Sequence, residues 1–297
     1  MKVLIFGGAG QLGRCLQDRA PASWQVHAPT SAQVDITQPA QVAGAVASFV
    51  PDVLINASSY NAVDAAESDI DRAYAVNAHG PEHMARAARG CGARFFHVST
   101  DYVFDGTRQS PYTEDDTPAP LSVYGQSKRA GELAVLAANP DAIVARTAWL
   151  FSEYGKNFVK TILALAAQNK LLTVVNDQVG SPTYAGDLAD VLIGLAGRDA
   201  ITGGIYHFAG REVVTWFEFA GAILAGVPHQ LQPITTDDYP ARARRPQYSA
   251  LACRKLQALG FKPHALSENL DYVRSRLALI DGKLAHAVQE GVGNHRR

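Results

Sequence analysis

Val3-Leu4-Ile5-Phe6-Gly7-Gly8-Ala9-Gly10-Gln11-Leu12-Gly13 decides the fold. Four apolar residues in a row are the pattern of a parallel strand covered on both faces. The glycines behind them permit a tight turn and close backbone approach, and a helical stretch from about Gln11 to Arg19 aims its free N–H groups at the same spot. Strand, glycine turn and helix amino terminus together make a pyrophosphate site. The spacing fits G-x-G-x-x-G from Gly8 and also G-x-x-G-x-x-G from Gly7. A glycine turn elsewhere would be punctuation; directly after the first strand it points to a dinucleotide, with Gly7, Gly10, Gln11, Leu12 and Gly13 as binding residues.

Working outward, a second strand over about Gln25 to Ala28 ends at Pro29-Thr30-Ser31. A strict NAD site usually carries an acid here for the ribose 2′-hydroxyl. This loop has neither that acid nor an arginine for a 2′-phosphate, so NADPH and NADH both stay open, with a lean to NADPH. Thr30, Asp35 and Ile36 are the adenosine-side candidates. The carboxylate of Asp35 either accepts from the adenine amino group or serves its own turn as a cap. Asp52 to Asn56 is the next buried strand, and Ala57-Ser58-Ser59-Tyr60 is its carboxyl-end loop, on the ligand side of a doubly wound sheet. Asn61 to Glu67 reads as polar and irregular, and Asp71 to Gly90 as a long amphipathic helix. His79, Glu82 and His83 on that helix read as surface residues, because no further ligands gather near them in sequence.

The chemistry concentrates between residues 95 and 128. An apolar strand ends in Ser99-Thr100-Asp101, and Tyr124 and Lys128 follow, four apart, in a predicted helix. That spacing puts phenol and ammonium on one helix face, where the lysine charge favours the phenolate. The Thr100 hydroxyl at the strand end is a second donor toward the same substrate oxygen. Together they make a proton-delivering site for a carbonyl, with Tyr124, Lys128 and Thr100 as catalytic residues.

Ala142 to Arg146 continues the alternation of strands and helices, which argues for right-handed crossovers in one parallel sheet. The expected architecture is α/β: a Rossmann-type doubly wound parallel sheet over residues 1–150, rejoined by about 185–209. A smaller C-terminal substrate-binding lobe takes 151–184 and 210–280, and a tail covers 281–297. Within these, Asn157 to Ala167 is a predicted helix and Leu171 to Val175 a predicted strand. With 297 residues, 47% apolar content and a net charge of −1, the composition is that of an ordinary globular chain with a sizeable core. Dispersed basic residues argue against a nucleic-acid surface, and no apolar run approaches membrane-spanning length. Met1-Lys2 precedes only four apolar residues, too few for a signal peptide, and the three cysteines are odd in number without metal-ligand spacing. Both features lead to the expectation of a cytoplasmic protein with free thiols. Oligomeric state does not follow from the sequence; a homodimer is compatible with it.

The glycine turn, the Tyr124/Lys128 pair and the Ser99-Thr100 strand end resemble an extended short-chain dehydrogenase/reductase. Further stretches resemble one branch, the dTDP-4-dehydrorhamnose reductases: Gly10-Gln-Leu-Gly13, Asn56-Ala-Ser-Ser-Tyr-Asn-Ala-Val-Asp64, and Ser99-Thr-Asp-Tyr-Val-Phe104. Tyr124-Gly-x-x-Lys128, Arg146-Thr-x-Trp149, Asn176-Asp-Gln-x-Gly180-x-Pro182-Thr183 and Arg244-Arg245-Pro246 complete the set, which extends to about residue 280. Two departures stand out: Ser31 where the family often has arginine, and Ser58-Ser59 in place of small alanines.

The resemblance implies NADPH- or NADH-dependent reduction of the C4 ketone of dTDP-4-dehydro-L-rhamnose. Tyr124 would donate the proton, Lys128 would hold the nicotinamide ribose, and Thr100 with Asp101 would orient the sugar. It further implies that Gly10, Gln11 and Leu12 cover the pyrophosphate, that Ser58, Ser59 and Tyr60 line the cofactor's far side, and that Trp149 lies along the sugar ring. Arg245, with Arg244, is the candidate for the substrate's diphosphate. Magnesium accompanies some members; the sequence offers no ligand cluster for it, and the metal site stays unassigned. Two alternatives remain. One is another sugar-nucleotide reductase or an epimerase of the same fold; a 4,6-dehydratase would need Asp-Glu where Asp101-Tyr102 stands. The other is a non-catalytic binding protein like the regulatory subunit of methionine adenosyltransferase.

Overall fold

Six parallel strands organise the computed structural model, which describes residues 1–168, 170–198 and 201–293, with the backbone alone from residue 280 on. β1 (Lys2–Phe6), α1 (Gln11–Arg19), β2 (Gln25–His27), α2 (Pro39–Phe49) and β3 (Val53–Asn56) form the first half. After α3 (Val63–Ala66), α4 (Ile70–Tyr74) runs through a π turn, Ala75–His79, into α5 (Gly80–Cys91). β4 (Arg94–Thr100), α6 (Val123–Ala138) and β5 (Ile143–Thr147) complete the catalytic half. The chain then leaves the sheet through β6 (Leu150–Phe151), α7 (Phe158–Ala166), β7 (Leu171–Val175), β8 (Val179–Gly180) and β9 (Thr183–Tyr184). It returns by α8 (Ala185–Ala196) and β10 (Gly204–His207), then leaves again through β11 (Val214–Thr215), α9 (Trp216–Ile223), β12 (Gln230–Ile234), α10 (Arg254–Ala258) and α11 (Leu266–Gly293).

The sheet order is β10-β5-β4-β3-β1-β2. Every pairing in it is parallel, so helices must cover both faces. On one face Leu12 and Leu16 of α1 meet Leu188 and Leu192 of α8 over Val3, Ile5 and Ile55. On the other, Val42 and Val46 of α2, Met84 of α5 and Val135 of α6 pack on Leu4, Phe6, Leu54 and Val144. This doubly wound arrangement is the one the uninterrupted apolar strands require. Strand order reverses between β1 and β3, and the crevice beyond their carboxyl ends is where such sheets take ligands.

A second core gathers Phe151, Val159, Ile162, Phe219, Ile223, Leu266 and Leu270, from α7, α9, α11 and the short strand pairs. The segment expected as a tail supplies the far part of α11 as far as Gly293; residues 294–297 lie outside the described residues. Other differences from expectation have local causes. β4 runs on through Thr100 because Ser99 and Thr100 pair in register with Arg146 and Thr147. The stretch 61–67, expected to be irregular, contains α3. The long helix is broken by its π turn, whose purpose emerges at the site.

A charged cluster sits inside this apolar framework. Glu132 of α6 is fully buried and accepts from Arg146 of β5 at 2.7 and 2.8 Å and from Ser99 of β4 at 2.6 Å. Arg129 adds a contact at 2.8 Å from the rim. Burial opposes the charge, but these donors, Arg146 first, hold the Glu132 carboxyl below its ordinary range. Removing one partner of a buried pair strands the other charge, at about 3–5 kcal/mol, whereas a partly exposed pair contributes about 0–1 kcal/mol. Glu132→Ala should therefore lower the urea midpoint by an amount worth about 3–5 kcal/mol, and Arg129→Ala by less than about 1 kcal/mol. Equal losses in the two variants would show that the cluster is not what binds these elements together.

Candidate active site

A cleft of about 820 Å³ runs along the carboxyl ends of the strands from Thr30 and Asp35 at one end to Tyr124 and Trp149 at the other. Its size suits an extended ligand. At its middle Gly7 adopts φ +84, the left-handed region, and a side chain there would lie 2.6 Å from the Ala57 backbone. Only glycine fits that turn. Gly10 caps α1 without a side chain, so the helix amino terminus faces the cleft bare. Gly13 does not reach the cleft. A Cβ there would sit 2.3 Å from the Gly7 carbonyl, so Gly13 lets α1 pack against the turn.

The far end is assembled by three elements. Ser122 caps α6 by accepting from Gly125 N at 3.2 Å, and Glu67 accepts from Val123 N at 2.8 Å. Tyr124, on the first turn of α6, meets the hydroxyls of Thr100 and Ser59, and the ring of Tyr102 stands edge-on at 5.7 Å. Burial pushes the Tyr124 phenol up to about 12, against those two hydroxyls. Lys128, one turn on, is buried and donates to the Val98 carbonyl at 2.6 Å. Its ammonium is pulled down to about 8 by burial, partly offset by Glu132. The expected lysine effect on the phenol is therefore not what dominates here. Desolvation sets the direction, toward the protonated phenol, the form a proton donor needs. Asp101 is likewise pushed up, to about 6, by burial, with the Ser249 and Thr100 hydroxyls opposing; Thr100 Oγ1 donates to it at 3.0 Å.

Thr30, Asp35, Ile36, Ser58, Ser59 and Tyr60 all line the cleft, as do Gly7, Gly10, Gln11 and Leu12. Asp35 nevertheless has an internal task, since its Oδ1 accepts from Thr37 N and Oγ1 at 3.0 and 2.8 Å. Thr100, Asp101 and Trp149 line the far end. Arg245 does not join them. Its guanidinium is paired with both carboxylate oxygens of Asp64, at 2.7 and 3.2 Å, and it ties the 242–245 segment to α3. The paired charge and its position off the cleft wall count against its expected diphosphate contact; Arg244 is exposed. His83 faces the Ile36 carbonyl and Glu82 pairs with Arg86. Among the described residues no group of three His, Cys, Asp or Glu side chains is placed to hold a metal. Cys15, Cys91 and Cys253 are free thiols.

Sequence reading missed several participants. Asn77, in the π turn, accepts from Tyr60 N at 2.8 Å and Ser59 Oγ at 3.1 Å, and donates to Ser127 Oγ and to the Tyr60 carbonyl at 3.0 Å. The π turn exists to present this side chain to both the β3 loop and α6, a usual place for such a turn. A buried asparagine amid apolar helix residues was its one sequence signal. Trp216 lines the cleft too and stacks on Trp149 with centroids 3.6 Å apart. Trp149 itself holds φ +45, a strained conformation for a tryptophan that is common at ligand sites. Arg72 and Lys156 add positive charge to the wall.

Comparison with known proteins agrees in extent with this geometry. The family described as RmlD substrate binding domain matches residues 1–278. A dTDP-4-dehydrorhamnose reductase of Aggregatibacter actinomycetemcomitans is 43% identical over 92% of this chain and 98% of its own. The crystal structure of a dTDP-4-dehydrorhamnose reductase from Bacillus anthracis str. Ames in complex with NADP superposes with a TM-score of 0.87 at 36% identity, covering 93% of this chain and 99% of that one. DesIV, a dTDP-glucose 4,6-dehydratase from Streptomyces venezuelae, reaches a TM-score of 0.78 at 21% identity over 93% of this chain and 97% of its own, a likeness of fold alone.

The tight seat of α6 on the π turn yields a test. A Cβ on Gly131 would lie 2.1 Å from the Asn77 carbonyl oxygen. Helix propensity favours alanine over glycine by about 1 kcal/mol, but overpacking against fixed backbone costs about 1–3 kcal/mol. Gly131→Ala should therefore lower the urea midpoint. A midpoint that rises would mean that α6 does not press on Asn77.

Proposed function

The chain belongs to the RmlD substrate binding domain family, and on that premise we propose that it reduces the C4 ketone of dTDP-4-dehydro-L-rhamnose to the hydroxyl of dTDP-L-rhamnose. The observation that carries this reading is the meeting of Tyr124, Thr100 and Lys128 at one end of a cleft whose middle is a glycine turn. It is an oxidoreductase site, and a bound nicotinamide would supply the hydride. The bare amino terminus of α1 and the backbone of the turn suit the diphosphate of such a cofactor, and Thr30, Asp35 and Ile36 suit its adenosine.

In this reading the protein's own residues handle the proton and the orientation. Thr100, its hydroxyl turned from Asp101 to the substrate, and Tyr124 donate to the ketone oxygen, Tyr124 gives up its proton as the alkoxide forms, and Lys128 steadies the resulting phenolate. The apolar face of Trp149, backed by Trp216, gives the sugar a flat wall. Asp101 is followed by Tyr102, a phenol that burial raises well above its ordinary value, so the site has no second carboxyl for removing water. That favours reduction over dehydration, and the intact Tyr124-Lys128-Thr100 set favours an enzyme over a regulatory module. Residence in the cytoplasm accords with the free thiols.

Mixed with NADPH and dTDP-4-dehydro-L-rhamnose, the protein should consume one NADPH per sugar and form the 4-hydroxyl product. Given dTDP-glucose and NAD⁺, it should form no 4-keto-6-deoxy sugar. Tyr124→Phe should lower turnover about 10²–10⁴-fold with cofactor affinity kept; retention of half the turnover would sink the proton-donor role. Cofactor choice is a separate matter, since the Thr30-Ser31 loop is neutral. NADPH and NADH should give KM values within about tenfold, a difference of ~1.4 kcal/mol, and Ser31→Arg should shift preference toward NADPH. A thousandfold preference for NADPH in the unaltered protein would contradict this account of the loop.

A further inference from the structure

The pyrophosphate turn is built from backbone alone, and a dinucleotide's diphosphate brings about two negative charges to it. Among the described residues three cationic side chains line the cleft: Arg72, Lys128 and Lys156. Arg72 is committed near the adenosine end, where its charge lowers Asp35, and Lys128 is turned to Val98 at the reacting end. Lys156 comes from the 152–157 loop, which leaves the sheet after β6 and folds back over the glycine turn.

That return is built, with Gln11 at its centre. The Gln11 amide oxygen accepts from Ser152 Oγ at 3.0 Å and Asn157 Nδ2 at 2.9 Å, while its Nε2 reaches the Leu150 carbonyl at 3.5 Å. Asn157 also donates to the carbonyls of Ser152 and Tyr154 at 2.7 and 3.1 Å and caps α7. Gly155, at φ +61, lets the loop graze the turn, since a Cβ there would stand 3.2 Å from Gln11 Cγ. Lys156 follows directly. It is exposed, lines the same cleft as Gly7, Gly10 and Gln11, and makes no ion pair among the described residues. So Gln11, expected to cover the diphosphate, spends its side chain on holding the loop that carries a cation.

We propose that Lys156 is a cofactor-binding residue that supplies the positive charge for the dinucleotide's pyrophosphate, with Gln11 and Asn157 as the residues that position it. This rests on the dinucleotide reading of the cleft. Its consequence is that cofactor binding joins the sheet to the segment that begins the second core, through α7.

The test is fluorescence titration of NADPH with the unaltered protein, Lys156→Gln and Lys156→Arg. An exposed residue can be changed with little effect on folding, and thermal unfolding midpoints check this. Lys156→Gln should weaken NADPH about five- to tenfold, and flatten the dependence of affinity on salt, whereas Lys156→Arg should stay within about twofold. Adenosine 2′-monophosphate, which lacks the diphosphate, should bind all three proteins alike, and so should dTDP. Unchanged NADPH affinity in Lys156→Gln overturns the proposal. So does an equal loss for adenosine 2′-monophosphate, or a loss confined to dTDP, which would assign the lysine to the sugar nucleotide. Failure of the unaltered protein to bind NADPH at all is a different result, and would overturn the dinucleotide reading itself.

Discussion

The fully buried carboxylate of Glu132 is the constraint on which the site depends. It joins three elements at once: α6, which carries Tyr124 and Lys128 about two turns and one turn earlier; β4, through Ser99, the residue before Thr100; and β5, through Arg146, the residue before Thr147. A buried ion pair of this kind adds little net stability, because desolvation consumes most of the Coulombic gain. Its effect is on register. Slipping β5 by one residue against β4 would turn Arg146 to the opposite face and strand two charges in an apolar interior. Packing by Phe96, Val144 and Val135 tolerates small shifts; this cluster does not. The Thr100 hydroxyl, the Tyr124 phenol and the Lys128 ammonium, which line one end of the cleft, are thereby fixed from behind.

What was legible in the sequence is what is local along the chain. The run Val3 to Phe6 and the glycines after it could be read because a strand, its turn and the start of a helix are consecutive, and α1 spans the Gln11–Arg19 that this implies. Tyr124 and Lys128 could be paired because helical spacing is a local rule, and Thr100 because it ends a strand. The pairing of Arg245 was hidden for the opposite reason. Its partner Asp64 lies 181 residues away, and nothing near either residue announces the pairing. Gly13 looked like a ligand residue because the motif does not distinguish a glycine that faces the phosphate from one that lets helix and turn touch. Asn77 was hidden by its π turn, since a one-residue bulge leaves no mark on an amphipathic pattern. Trp216 lay in a stretch whose apolar character reads equally as core, and it serves as both.

Burial shifts the three ionisable groups at the reacting end in a common sense. The Tyr124 phenol is raised to about 12, the Asp101 carboxyl to about 6, and the Lys128 ammonium lowered to about 8. Each is moved toward its neutral form, as desolvation requires. For a site that must protonate an alkoxide this is the useful direction. A phenol at its raised value keeps its proton at neutral pH and parts with it only to a stronger base, which the forming alkoxide is. The phenolate left behind is the species that this desolvation makes costly. Lys128, lying one turn along the same helix and close to its own titration near neutral pH, is the group able to meet that charge or to pass on a proton. Its ammonium already donates to the Val98 carbonyl, so it is held in place before any ligand arrives. In the proposed reduction the Tyr-x-x-x-Lys spacing would act less by weakening the tyrosine's hold on its proton in advance than by stabilising the state that follows its loss.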